Sequence, residues 1–202
     1  MTHPFFTIIK SDPSLAQYCR TIMTHLPEPY HGKNQLKAIL LGADPTNNGV
    51  RANPGMKRLG RVFGINSKYE KDFFNPQKTN LTAIGLDKDD LYIQNVCRNY
   101  FMDQTSKNEG WQAIAKLWLP YLAEELSVLN SKLPVLATAE KIMKILVPNI
   151  PTAKEIYNMI EEPSFYSTVL NRSVYALYRN KDYILSVNYP NYRNFIKQRL
   201  NG

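Results

Sequence analysis

The chain has 202 residues, enough for one ordinary domain with a sizeable core. A hydrophobic content of 44% with 21% charged residues excludes a disordered polypeptide, and no apolar run approaches the roughly 20 residues of a membrane-spanning helix. The formal net charge of +8, from 25 Lys and Arg against 17 Asp and Glu, suits a polyanionic partner.

In chain order, the first stretch, Met1–Ser14, holds an apolar run of only five residues, Phe5–Ile9, and no small-residue cleavage site, so no signal peptide is expected. Two distant cysteines, Cys19 and Cys97, cannot build a four-cysteine metal site; reduced thiols, a cytoplasmic location and no metal or cofactor are expected. Leu15, Tyr18, Cys19, Ile22, Met23 and Leu26 repeat at helical spacing behind an Asp12 cap and Pro13, which predicts a helical segment within residues 1–35 packed on the main domain.

Four short apolar runs predict buried strands: Lys37–Leu41, Leu91–Val96, Pro134–Ala137 and Tyr183–Val187. Between and after them lie helical patterns: one from Trp111 to Leu129, broken or kinked at Pro120, and shorter ones at Ala139–Leu146, Thr152–Glu161 and Asn191–Leu200. Near-continuous apolar strands alternating with helices predict an α/β fold, a three-layer α/β/α sandwich around a short, mostly parallel four-stranded sheet. Ligands of such sheets bind beyond the carboxyl ends of the strands, so the chemistry is expected in the residues just after each run.

The basic charge is also uneven. Residues 45–69 carry Arg51, Lys57, Arg58, Arg61 and Lys68 with no acidic residue, and residues 171–202 carry six basic residues against Asp182 alone. Two such blocks are the expected footprint for nucleic acid, with Arg51, Lys57, Arg58, Arg61, Arg193 and Lys197 as candidate contacts. A basic protein with solvated side chains gives the same count.

After the first predicted strand comes Gly42-Ala43-Asp44-Pro45-Thr46-Asn47, where the Asp-Pro pair aims a carboxylate across the sheet edge or simply begins an Asx-turn. The second predicted strand carries Asn95 near its end, a carboxamide complementary to the edge of a nucleobase or suited to satisfying loop backbone. The last is followed by Asn188-Tyr189-Pro190-Asn191-Tyr192-Arg193, with Asn191 placed to cap a basic helix.

Taken in order, strand–Gly-x-Asp-Pro, strand–Asn with Gly110-Trp111 downstream, and strand–aromatic–Pro, the chain resembles the uracil-DNA glycosylase superfamily over residues 36–200. Of the family's Gly-Gln-Asp-Pro-Tyr-His motif, Gly42, Asp44 and Pro45 match, while Ala43, Thr46 and Asn47 depart. Asn95 matches the base-reading asparagine, and Phe63, within Gly60-Arg61-Val62-Phe63-Gly64, the stacking phenylalanine. The second family motif, His-Pro-Ser-Pro-Leu, falls on Tyr189–Arg193, where only the proline survives.

The resemblance implies a monomer that flips a damaged or deaminated base out of DNA, single- or double-stranded, and hydrolyses its N-glycosidic bond. Asp44 is then the catalytic carboxylate. Asn95 and Phe63 hold the base, with Ala43, Thr46 and Asn47 around it and backbone amides near Ala43 at the departing oxyanion. His3, His25 and His31 all precede the first predicted strand, so Tyr189 or Asn188 is expected where the family has its histidine. Thr46 leaves the wall beside the base shorter than the family's tyrosine. Arg193, with Tyr192 beside it, stands where a wedge residue enters the duplex and is expected to contact the strand instead. Two other readings share these residues: a catalytically weak or inactive nucleic-acid-binding member of the same fold, and a different α/β enzyme acting on nucleosides or small substrates.

Overall fold

A computed structural model describes residues 3–47, 56–161, 163 and 165–201. Helix α1 (Pro4–Ser11) and the single turn α2 (Pro13–Ala16) open it, and the Asp12 side chain accepts the Ser14 N–H as the sequence predicts. The helical pattern does not continue to Leu26. The chain leaves the helix before Cys19, which bridges to Phe101, and Ile22 stands in solvent. Phe5, Phe6 and Ile9 are buried, and the Phe5 ring stacks 4.3 Å from that of Trp118.

Strands β1 (Tyr30–His31) and β2 (Ala38–Gly42) follow, then a 3-10 turn at Val62–Gly64 and helices α3 (Glu70–Phe73) and α4 (Asn75–Ala83). Strand β3 (Leu91–Asn95) leads through a 3-10 turn at Thr105–Lys107 to α5 (Trp111–Ser127), which runs through Pro120 as one helix. Strand β4 (Val135–Ala137), α6 (Glu140–Leu146), α7 (Ala153–Tyr157), β5 (Tyr166–Ser167), β6 (Arg172–Ala176) and α8 (Pro190–Asn201) complete the order.

Among the described residues the sheet has six strands, in the order β1-β3-β2-β4-β6-β5, not four. Its four central strands are parallel, and a two-residue antiparallel strand guards each edge. Short edge strands of this kind limit pairing with other chains. Every residue of β2, β3 and β4 is buried, which is why β2, β4 and the first three residues of β3 read as apolar runs.

The expected strand at Tyr183–Val187 is not one. Lys181–Tyr183 form a 3-10 turn, Leu185 is buried and Val187 is exposed. The fourth parallel strand is β6, which begins with Arg172. That side chain is buried, and its guanidinium donates to the carbonyls of Leu126, Leu129, Asn130 and Leu133 at the end of α5 and just beyond it. Helix ends leave carbonyls without partners, and a cation there also answers the helix dipole. One arginine thus joins α5 to the sheet.

The connection from β2 goes to β3 on one side, and the next crosses back to β4 on the other. The register aligns Gly42 with Asn95, Leu41 with Ala137, and Ala137 with Ala176. The carboxyl ends of all four central strands therefore form one edge. The crevice between β2 and β4 at that edge is the switch point where such sheets bind ligands.

Candidate functional site

At this crevice lies an inner cavity of about 90 Å³, lined by Asp44, Phe63, Asn95, Thr138 and Arg179 among others. It adjoins an outer cleft of about 480 Å³, and Thr46, Asn47, Phe73, Thr105, Ala139 and Arg179 line both.

Asp44 stands two residues beyond β2. Its Oδ1 accepts the Thr46 N–H at 2.9 Å, an Asx-turn. Its Oδ2 accepts the Thr105 hydroxyl at 2.6 Å and the Trp111 indole N–H at 3.0 Å. The Thr46 side chain also favours the charged carboxylate, so the group is closely surrounded by donors. Burial raises the carboxyl above the ordinary aspartate range, and the donors oppose that shift without cancelling it. Thr105 and the indole of Trp111 are partners of Asp44 that sequence reasoning missed, being 61 and 67 positions away.

Asn95 ends β3 directly opposite Gly42. Its backbone N–H donates to Gln94 Oε1, while its carboxamide lines the cavity and bonds to no other described residue. Phe63 has φ 52°, a left-handed backbone that a phenylalanine adopts only under constraint, and its ring meets that of Phe74 edge-on. Gly42 joins these groups. A Cβ there would lie 2.2 Å from Asn95 Oδ1 and 2.6 Å from Phe63 Cζ, so only glycine lets both side chains close over the strand end. Gly42→Ala is expected to destabilise the fold by about 1–3 kcal/mol through this overlap. Denaturant unfolding checks it, and an unchanged midpoint would contradict the packing.

The residues beside Asp44 divide. Ala43 lines the cavity, and its carbonyl accepts the Cys97 N–H. Thr46 Oγ1 accepts the Phe101 N–H at 2.9 Å, and the rings of Phe63 and Phe73 share the wall with it and Leu59. Asn47 lies in the wall too, but its carboxamide is committed to backbone. Nδ2 donates to the carbonyls of Pro45 and Lys57, and Oδ1 accepts the Lys57 N–H. It fixes the loop rather than offering a free edge to a base.

Asn188 and Tyr189 line neither cavity. Asn188 is exposed, while Tyr189 packs on Tyr157 and Tyr183 and donates to the Asp182 carbonyl. Both are expected at the site only behind a strand that does not exist. The loop after β6 is Leu177–Asn180, and from it Arg179 reaches both cavities. Tyr192 is likewise no strand contact. It is fully buried, and its hydroxyl donates to the Ala176 carbonyl and accepts the Ala176 N–H.

Of the remaining basic candidates, Arg51 lies outside the described residues. Lys57 pairs with Asp72 and sits over the Tyr69 ring, and Arg61 pairs with Glu28 at 3.8 Å. Arg193 is half-buried, whereas Arg58 and Lys197 are exposed and form no ion pair with a described residue. Among the described residues no group of His, Cys, Asp and Glu is arranged to hold a metal, and no helix is long and apolar enough to cross a membrane. Both cysteines are buried and free. No model of a known protein family matches the sequence, and no curated protein matches it.

Proposed function

We propose that the protein is a DNA glycosylase of the uracil-DNA glycosylase kind, a monomer of three-layer architecture acting on DNA in the cytoplasm. One observation carries this reading: the Asp44 carboxyl, the unpaired Asn95 carboxamide and the Phe63 ring meet in one small cavity at the switch point of a parallel sheet. A space of about 90 Å³ suits a single small ring, and the adjoining cleft suits the sugar and phosphate that carry it. The target nucleotide leaves the stack, Phe63 packs on the face of its base, and Asn95 pairs with the base edge. As the glycosidic bond breaks, the ionised Asp44 stabilises the cationic sugar and orients the attacking water. Because Trp111, Thr105 and Thr46 fix the carboxylate, little reorganisation is needed at that moment.

The test is direct. Oligonucleotides carrying uracil, a thymine mismatch, hypoxanthine or an alkylated base are incubated with the protein, and abasic sites are scored. Abasic sites in none of these substrates would reject the enzyme. A second reading, a silent nucleic-acid-binding protein, draws on the engagement of Asp44 by three donors and its raised pKa. It predicts binding without base release.

Both readings expect nucleic-acid affinity to fall steeply with salt. Arg58→Ala and Lys197→Ala are expected to make that slope shallower by about one unit for each phosphate no longer neutralised. Affinity that is flat with salt would remove the polyanion partner.

A further inference from the structure

We infer that Arg179 stabilises the departing base, so that the inner cavity sets a guanidinium against the base anion and a carboxylate against the sugar cation. This inference rests on the glycosylase reading above. In that reaction the bond between C1′ and the base nitrogen breaks and its electron pair leaves with the base. Water adds its oxygen to C1′ and gives up a proton through Asp44 to solvent, and the base anion then takes a proton from solvent. Two opposite charges therefore develop a few ångströms apart.

Asp44 and Arg179 are the two charged side chains among the described residues of the inner cavity. Arg179 stands three residues beyond β6, and its N–H donates to the carbonyl of Thr138, the first residue after β4. Its backbone is thus tied to the adjoining strand end. The residue is exposed, and its guanidinium forms no ion pair with a described carboxylate, so its charge is not already neutralised. No imidazole competes for the task. His3 caps α1, His25 Nε2 lies 3.0 Å from the Leu59 carbonyl, His31 is on β1, and none lines the cavity. A guanidinium does not give up its proton near neutral pH, so it acts on the leaving base as a fixed charge with several N–H donors. Such a group matters most when the base is a poor leaving group.

The experiment compares release of uracil and of 5-fluorouracil, whose anion is the more stable, from otherwise identical single-stranded oligonucleotides by the wild type, Arg179→Ala and Arg179→Lys. Arg179→Ala is expected to slow uracil release by about 10²-fold and 5-fluorouracil release far less, with Arg179→Lys between them and unfolding midpoints unchanged. Equal losses for the two bases, or no loss, would overturn the inference while leaving the glycosylase reading in place. A wild type that releases neither base would overturn the inference, and the glycosylase reading falls with it when the mismatched, deaminated and alkylated bases above also stay in place. Strand affinity is measured alongside. A loss of release explained wholly by weaker binding would make Arg179 a phosphate contact and overturn its role at the base.

Discussion

Asp44→Asn is expected to lower base release by at least about 10²–10³-fold while strand affinity stays equal or rises. The magnitude is that of removing one preorganised electrostatic group from a transition state. Affinity moves the other way because the lost negative charge repelled the phosphates of the bound strand. The amide keeps one oxygen for the Thr46 N–H, and the Thr105 hydroxyl can turn to accept from the new NH₂. The Trp111 indole N–H can only donate and is left facing another donor. That orphaned donor costs about 1–3 kcal/mol, so unfolding midpoints are measured beside the rates. Unchanged abasic-site formation would remove Asp44 from the chemistry.

The pH dependence has a defined sign. Burial raises the folded carboxyl above its unfolded value, so the folded state binds the proton more tightly. Stability from this group is therefore complete below the ordinary aspartate range and declines as pH rises through the folded value. On the glycosylase reading, base release needs the carboxylate and is expected to climb over the same interval. Opposite slopes of stability and rate, both absent in Asp44→Asn, are the expected pattern.

Arg172→Ala is expected to cost about 1–3 kcal/mol, the range for leaving buried hydrogen-bonding groups unsatisfied. Its guanidinium is shared among four carbonyls at and beyond the end of α5, and alanine leaves all four without that donor, those of Leu126 and Leu133 in a buried setting. Arg172→Lys recovers only part of the loss, because one ammonium cannot reproduce the planar fork. Denaturant unfolding measures both variants. A cost below about 1 kcal/mol for alanine would mean that other groups or water serve those carbonyls. The arginine counted in the sequence toward a basic block is a structural one.

Arg172 also explains where the sequence ceases to be legible. Strands β2 and β4 and the first three residues of β3 can be read because burial on both faces makes them apolar runs, with the polar Gln94 and Asn95 only at the end of β3. Strand β6 opens on Arg172-Ser173, and the run Tyr183–Val187 offers a more apolar decoy. That one exchange displaces the site residues expected after it, though the helix expected at Asn191–Leu200 is there as α8. The exchange puts Asn188 and Tyr189 at the site and passes over Arg179, a few residues past the true strand. Asp44 and Asn95 are legible because each stands at or just past the carboxyl end of a strand that the pattern identifies correctly. Phe63 is legible through its glycine neighbours, and the φ of 63° at Gly64 shows why one of them is there. Thr105 and the Trp111 indole are not, since their meeting with Asp44 is made by the fold across more than sixty residues. The two-residue edge strands β1 and β5 are too short to carry a pattern.

The Asn47 carboxamide has a consequence for how the chain can be re-engineered. By binding both the N–H and the carbonyl of Lys57, it holds two positions ten residues apart together much as a strand pair would. Residues inserted between these anchors pull on the clamp rather than on Asp44, and doubling such a loop costs only about 0.6 kcal/mol of closure entropy. Length and charge between the two anchors can thus be exchanged while the carboxylate three positions before the clamp keeps its place.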